Sequence, residues 1–244
     1  MLIFRRYLSV VIVALFLLIV AAPEAKGALL WKDDFTDELF SELTWDTKNT
    51  TGTPEIKNER CILKIEENDK GTHEAIGTLE SHTLPPNFDL FAALEFTNVQ
   101  GGKGEFYIQI GGRMELLISF QDKPGDKVKK GVSAKTIFCR KSNSNQYLPQ
   151  ASKAKGIFTH QISSGDRCYI RWMSNGESPS LQIIKVGSNP GESDIGDFLI
   201  ETDKPLSGNV EFGIRNGLKE VRINHVRAYL FGTSSSLVHD WVLF

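Results

Sequence analysis

The chain has 244 residues, of which 41% are hydrophobic and 24% are charged, and its formal net charge is −2 at neutral pH. A charge this close to zero excludes the strong electrostatic field that gathers nucleic acid, so we expect no nucleic-acid partner. The length suits a single domain, because all-β domains often contain about 200–250 residues.

The N-terminus has the order of features found in a secretory signal peptide. Arg5 and Arg6 precede an apolar stretch over residues 8–22, and small residues follow as far as Gly27. We therefore predict a signal peptide over residues 1–27. Its removal leaves a secreted protein, extracellular or periplasmic, with no stable membrane insertion. An uncleaved signal anchor is the alternative, but the apolar stretch is short for a membrane span of about 20 residues.

From residue 28 onward the sequence shows short alternating runs separated by turn-forming residues, and no long helical period. Roughly a dozen such runs have the spacing of an antiparallel sandwich or jelly roll. We therefore predict an all-β domain, an antiparallel β-sandwich, over residues 28–232. A C-terminal tail over residues 233–244 follows, and its last four residues are apolar enough to dock on the domain.

The alternation assigns side chains to an inner and an outer face of each sheet. Two runs show it clearly, and their inward sets are Phe106, Ile108 and Ile110, and Val210, Phe212 and Ile214. In the closing run "VRINHVRAY", simple alternation places His225 and Arg227 on the same face as Val221 and Ile223. Two packed sheets then bury one face each and keep polar outer faces.

The chain contains three cysteines, Cys61, Cys139 and Cys168. In an oxidising compartment this number suggests one disulfide and one thiol. A Cys139–Cys168 bridge is favoured because both residues fall in predicted strands, and three buried thiols are the alternative. The spacings do not fit a zinc ribbon.

Four segments in order resemble the concanavalin A-like lectin and glucanase superfamily, which includes laminin G-like modules, lectins and family-16 glycoside hydrolases. The segments are "WKDDFTDELFSELTW", "RCYIRWMSNGESPSLQIIKVG", "PLSGNVEFGIRNG" and the closing "VRAY". The resemblance extends from Leu30 to Phe231. It implies a jelly-roll sandwich whose first and last strands lie side by side.

Several members of this superfamily bind a structural calcium ion near the first and last strands. The resemblance implies that a calcium site in this chain would use Asp34 and Asn224. Asn224 stands where those members have an acidic residue, and an amide oxygen contributes no charge to the ion. The alternative is a polar strand end that bonds to the neighbouring strand.

The catalytic motif of family 16, Glu-x-Asp-x-Glu on one strand, is absent from the chain. The nearest match, "EIKNE" at residues 55–59, has Lys57 at its centre. A retaining glycosidase needs two carboxyl groups about 5 Å apart, which this motif supplies on one strand. Because the motif is absent, the sequence favours a non-catalytic protein. The remaining route to an enzyme is a carboxylate pair from different strands, drawn from Glu95, Glu105 and Glu211.

Outward-facing aromatic, amide and charged side chains supply the groups with which proteins bind sugars. The predicted ligand-binding set is Tyr107, Gln109, Tyr169, Arg171, Glu211 and Arg215. The set forms one surface only if its strands share a sheet. Otherwise it is the polar outer face that any sandwich presents.

These patterns favour a secreted, non-catalytic, lectin-like or laminin G-like module that binds a glycan or an extracellular polysaccharide. Two alternatives stay open. One is a glycoside hydrolase or related carbohydrate-active enzyme with a non-standard site. The other is an extracellular module that binds protein or has a structural role.

Overall fold

The computed structural model describes residues 27–37, 44–46, 54–65, 73–97, 103–121, 134–141, 165–189, 196–216 and 218–231. The predicted signal peptide as far as residue 26, and the predicted tail over residues 233–244, lie outside these ranges. No helix within the ranges is long and apolar enough to cross a membrane.

The described residues form β-strands and one short 3-10 helix at Glu80–His82. The strands are β1 (Leu29–Asp33), β2 (Glu55–Ile56), β3 (Cys61–Lys64), β4 (Glu74–Gly77), β5 (Asn87–Thr97), β6 (Lys103–Ile110), β7 (Met114–Gln121), β8 (Ala134–Lys141), β9 (Arg167–Asn175), β10 (Ser180–Gly187), β11 (Gly196–Thr202), β12 (Val210–Arg215) and β13 (Glu220–Leu230).

The strands form two antiparallel sheets that pack around one shared core. The large sheet has the order β11-β10-β9-β5-β13-β3-β2, and β1 also pairs with β13. The small sheet has the order β4-β12-β6-β7-β8. This arrangement confirms the predicted all-β antiparallel sandwich.

The core between the sheets contains the side chains that alternation predicted to point inward. Phe106 of β6 and Phe212 of β12 are both 0% exposed. Trp172 enters from the large sheet, and its indole Nε1 donates a hydrogen bond to Gln182 Oε1 at 3.0 Å. Burying a large apolar side chain contributes about 1.5–3 kcal/mol, so each of these positions stabilises the sandwich.

The closing strand, β13, contains a β-bulge at its centre. It pairs with β5 along one edge, and along the other edge with β3 at its start and with β1 at its end. In the pairing with β5, Ile223 lies opposite Leu94 and His225 lies opposite Ala93. Asn224 is therefore the extra residue of the bulge.

The bulge corrects the simple alternation predicted for this strand. One extra residue reverses the faces of every residue beyond it. Val226 and Ala228 therefore point into the core and are 0% exposed. His225 and Arg227, which alternation placed on the core side, instead lie outside the core, where His225 stacks on Phe91 at a ring distance of 5.4 Å.

A buried carboxylate stabilises the N-terminal segment of the sandwich through hydrogen bonds. Asp33 is 1% exposed. Its Oδ2 accepts a hydrogen bond from Trp45 Nε1 at 2.8 Å, and its Oδ1 accepts one from the backbone N–H of Phe35 at 2.7 Å. Phe35 has a left-handed backbone, with φ at 54°, and its ring stacks on Trp45. The first acid of the "DDF" segment thus has a structural role.

The two cysteines of the favoured Cys139–Cys168 disulfide lie on strands of different sheets. Cys168 is a buried thiol on β9 of the large sheet, whereas Cys139 belongs to β8 of the small sheet. Cys61 is also a buried thiol. Burial raises the pKa of Cys61 well above its ordinary value, and the nearby charges of Asp33 and Glu74 add to this effect. Such a thiol packs as a small hydrophobic side chain.

Candidate functional site on the small sheet

The neighbouring strands β12, β6 and β7 place polar and charged side chains on the outer face of the small sheet. Across β12 and β6 the register pairs Gly213 with Tyr107 and Arg215 with Glu105. Because the residues between them point into the core, these side chains share the outer face. The small-sheet cluster is defined as His73, Glu105, Tyr107, Glu115, Glu211 and Arg215.

Tyr107 is the centre of the small-sheet cluster. It is only 2% exposed although it lies on an outer face. Its ring covers Gly213, since a Cβ at Gly213 would come within 2.3 Å of the ring. The Tyr107 hydroxyl donates a hydrogen bond to Glu211 Oε1 at 2.5 Å, and it also bonds to Nε2 of His73. Contacts with β12 and with His73, the residue before β4, therefore fix this ring.

Arg215 joins two carboxylates from neighbouring strands. Its guanidinium carbon lies 4.8 Å from the centre of the Tyr107 ring, which is a cation–π contact. Its Nε donates a hydrogen bond to Glu105 Oε2 at 2.7 Å, and its Nη2 donates to Glu115 Oε1. Asn216 donates a further hydrogen bond to Glu105 at 2.9 Å.

The cluster has more acidic than basic groups, because it contains three glutamates and one arginine. Burial lowers the pKa of Arg215, but the hydrogen bonds and charges of Glu105 and Glu115 outweigh burial, so the pKa lies above its ordinary value. Burial, and after it the hydrogen bond to Glu211, raises the pKa of Tyr107. Tyr107 therefore keeps its proton and remains a donor.

We predict that Gly213→Ala displaces the Tyr107 ring and lowers the free energy of unfolding by about 1–3 kcal/mol, the usual cost of overpacking. The matched control is Gly77→Ala on β4, the strand beside β12, where the nearest atom to an added Cβ is a carbonyl oxygen 3.8 Å away. Denaturant unfolding of both variants checks the prediction. Equal losses would contradict it.

The structure divides the predicted ligand-binding set between the two sheets. Four members share the outer face of the small sheet: Tyr107, Gln109, Glu211 and Arg215. Tyr169 and Arg171 lie on β9 of the large sheet. There Tyr169 stacks on Phe91 at 6.0 Å, and Arg171 Nε donates to Asp89 Oδ1 at 2.9 Å. The six residues therefore do not form one surface.

Glu95 does not share a face with Glu105 and Glu211. It lies on β5 of the large sheet, where it pairs with Arg60 at 3.3 Å and with Arg222 at 3.4 Å. The other two glutamates lie on the small sheet. Glu95 therefore does not form a carboxylate pair with Glu105 or Glu211.

The structure does not confirm a calcium site at the residues that the resemblance implies as ligands. The Asp34 carboxylate pairs with Lys32 and with Arg227, each at 3.3 Å. The side-chain oxygen of Asn224 is buried, with no hydrogen-bond partner among the described residues. Calcium takes about six to eight oxygen ligands, and no group of three or more His, Cys, Asp or Glu in the described part could hold a metal.

Three members of the small-sheet cluster, His73, Glu105 and Glu115, are not in the predicted ligand-binding set, although Glu105 is among the glutamates considered for a carboxylate pair. Glu115 follows the outward register of β7, but the next outward residue, Leu117, is apolar and hides the alternation. His73 precedes β4 and meets Tyr107, which is 34 positions later in the sequence. Only the pairing of strands within the sheet brings these side chains together.

The sequence matches no protein-family model and no curated protein, but the fold matches solved structures. A protein of unknown function with a galectin-like fold from Bacillus subtilis has a TM-score of 0.56 and 10% identity, over 84% of this chain and 97% of that one. A legume lectin-like domain from Entamoeba histolytica has a TM-score of 0.50 and 14% identity, over 83% and 98% of the two chains.

A GlcNAcα1-4Gal-releasing endo-β-galactosidase from Clostridium perfringens also matches, with a TM-score of 0.54 and 12% identity over 84% of this chain. The match spans 63% of the length of that enzyme. At such identities the likeness concerns the fold alone. The two sheets and these matches together show that the chain has a concanavalin A-like sandwich fold.

Proposed function

We propose that this protein is a secreted, non-catalytic carbohydrate-binding module whose ligand binds at the outer face of the small sheet. The observation that carries the proposal is the small-sheet cluster, in which one tyrosine, one arginine, one histidine and three glutamates form a connected set of hydrogen bonds and ring contacts. Charged acceptors and donors of this kind bind sugar hydroxyls strongly.

The polar members of the cluster, and not the tyrosine ring, would contact the sugar. Tyr107 is 2% exposed and one of its faces meets the Arg215 guanidinium. A sugar ring therefore has no open aromatic platform at Tyr107. Glu105, Glu211 and Arg215 are each partly exposed, and the buried tyrosine holds two of them in place.

The fold neighbours support a sugar ligand for this chain. A legume lectin-like domain and an endo-β-galactosidase share the sandwich. Fold alone does not assign function, so the proposal depends on the cluster, and the neighbours only favour carbohydrate over other ligand classes.

A glycoside hydrolase is the second candidate, because Glu105 and Glu115 converge on one guanidinium from neighbouring strands. Such enzymes use two carboxyl groups, one of which must accept or donate a proton. Both glutamates here are ion-paired with Arg215, which favours a binding role. Turnover of a glycan that Glu105→Gln or Glu115→Gln abolishes would establish the enzyme instead.

A glycan array tests the proposed function. The exported protein is applied once with calcium and once with a chelator. Hits under both conditions support a binding module without a metal requirement, and hits only with calcium would revive a metal site. A blank array would contradict the proposal and would favour the protein-binding alternative.

We predict that Glu211→Gln weakens binding of an array hit about tenfold, which corresponds to about 1.4 kcal/mol, because the variant keeps the shape of the side chain and loses its charge. The control is Tyr169→Leu on the large sheet, which should leave affinity unchanged. Titration calorimetry measures both. A loss confined to the Tyr169 variant would move the site to the large sheet.

The proposed export has its own test. The full chain is expressed in a host with a secretory pathway, and the protein in the medium or periplasm is sequenced from its N-terminus. A start at Ala28 is the expected result. Protein that stays in the membrane fraction with Met1 intact would contradict cleavage and support a signal anchor.

A further inference from the structure

We propose that Tyr107 and Glu211 lock His73 in the tautomer that carries its proton on Nε2, so that Nδ1 accepts a hydrogen bond from a ligand hydroxyl group. The first half of this proposal concerns the protein alone. The second half rests on the proposed carbohydrate-binding function.

The lock follows from counting donors and acceptors around the Tyr107 hydroxyl. A carboxylate can only accept hydrogen bonds, and a phenol has a single proton to donate. The hydroxyl lies 2.5 Å from Glu211 Oε1, so its proton is directed to Glu211. The hydroxyl oxygen then faces Nε2 of His73 as an acceptor. Nε2 must therefore be the protonated nitrogen, because two acceptors cannot bond to each other.

The other ring nitrogen is left to face a ligand. In neutral imidazole one nitrogen is a donor and the other an acceptor, so Nδ1 of His73 carries a lone pair. Within the described residues Nδ1 makes no hydrogen bond, and it is not sealed from solvent. His73 is half-buried and its ring lies 5.6 Å from the Tyr107 ring at 33°. An acceptor is thus held in fixed orientation at the edge of the cluster.

The charges that face His73 come from two strands. Glu211 and Arg215 lie on β12, Glu115 lies on β7, and Tyr107 on β6 is neutral. Burial is the largest influence and lowers the pKa of His73, Arg215 lowers it further, and Glu211 and Glu115 act in the opposite direction. The net pKa lies below the ordinary value of 6.5. Neutral His73 is therefore the dominant form at pH 7.

Protonation would convert Nδ1 from an acceptor into a donor. Because the pKa of His73 is lowered, this change occurs only on acidification below the ordinary histidine range. Ligand affinity should hence be constant near neutral pH and should fall as the pH falls through the pKa of His73. The Nδ1 lone pair and the neighbouring glutamates all accept hydrogen bonds. The ligand class that suits them is therefore a neutral sugar whose hydroxyl groups donate.

The tautomer is tested without any ligand, by ¹⁵N NMR of the imidazole nitrogens in the exported protein at neutral pH. We expect the His73 spectrum of an Nε2–H tautomer with an unprotonated Nδ1. Tyr107→Phe keeps the ring and removes the hydroxyl, so it should shift His73 toward a mixture of tautomers. An Nδ1–H tautomer, or a spectrum that Tyr107→Phe leaves unchanged, would overturn the lock.

The ligand contact is tested with the strongest array hit and two substitutions. The asparagine amide in His73→Asn can occupy the position of Nδ1, whereas the glutamine amide in His73→Gln extends toward the position of Nε2. We expect His73→Gln to lose about 3- to 10-fold in affinity, the effect of one hydrogen bond, and His73→Asn to lose less. Neither variant should retain the acid-induced loss, and His82→Asn, outside the cluster, is the control.

The outcomes separate the two proposals. Equal affinity of the two variants and the native protein would overturn the contact while the array result stands. A blank array with a confirmed Nε2–H tautomer would contradict the proposed function, and with it the contact, although the lock would hold.

Discussion

Replacing Asp33 with alanine is expected to lower the free energy of unfolding by about 3–5 kcal/mol. The carboxylate is 1% exposed and accepts hydrogen bonds from Trp45 Nε1 and from the Phe35 backbone. Its loss leaves two buried donors without that acceptor, and each such hydrogen bond to a charged group contributes about 1.5–3 kcal/mol. Denaturant unfolding followed by tryptophan fluorescence measures the loss.

The neighbouring acid provides a matched control. Asp34 carries the same side chain one position later, but it is 31% exposed and its two ion pairs are 3.3 Å long. Partly exposed pairs of this kind contribute about 0–1 kcal/mol, so Asp34→Ala should cost less than about 1 kcal/mol. If the two alanine variants lose the same free energy of unfolding, the hydrogen bonds of Asp33 do not stabilise the N-terminal segment as proposed.

Asp33 also explains why the opening segment could be recognised from the sequence. The pattern of an Asp-Asp-Phe start followed by a tryptophan reflects one local unit. In this unit Asp33 accepts a hydrogen bond from Trp45, and the Phe35 ring stacks on the Trp45 ring. All three residues lie within 12 positions of each other. Because the spacing is short, this unit remains visible in the sequence as a motif, and it is one of the four segments on which the family resemblance rests.

The closing strand shows the limit of such patterns. Period-2 alternation predicts faces correctly for Phe106 and Phe212, because β6 and β12 have no irregularity within these segments. In β13 one extra residue at Asn224 reverses the faces beyond it. The apolar positions of β13 shift by one residue on passing Asn224, but an alternation continued without interruption through the strand overlooks that shift.

The candidate site could be predicted only in part, because its members come together through sheet order. Tyr107 and Glu211 are 104 positions apart and meet because β6 and β12 are neighbours. Tyr169 has equally suitable chemistry, but β9 belongs to the other sheet. Residue type and outward register identify candidates, whereas the choice between them depends on which strands pair.

The second large effect is expected from Arg215→Met, which should lower the free energy of unfolding by about 2–4 kcal/mol. Arg215 binds Glu105 and Glu115, and the Glu115 side chain is 3% exposed. Removing one partner of a buried ion pair leaves a charge whose desolvation is no longer offset. Denaturant unfolding at pH 7 measures the loss, and the double variant Arg215→Met with Glu115→Gln should recover at least about 1 kcal/mol of it.

Arg215→Lys separates the shape of the guanidinium from its charge. Arginine presents Nε to Glu105 and Nη2 to Glu115, whereas a lysine ammonium is a single point that cannot reproduce this fork. We expect the lysine variant to lose at least about half of the stability lost by Arg215→Met, and to bind the array hit more weakly than the native protein. Native stability in Arg215→Lys would mean that charge alone matters. In that case a positive charge near the glutamates would be sufficient, and the two hydrogen bonds of the guanidinium would not be needed. The fixed geometry on which the proposed sugar contacts depend would then have to come from Tyr107.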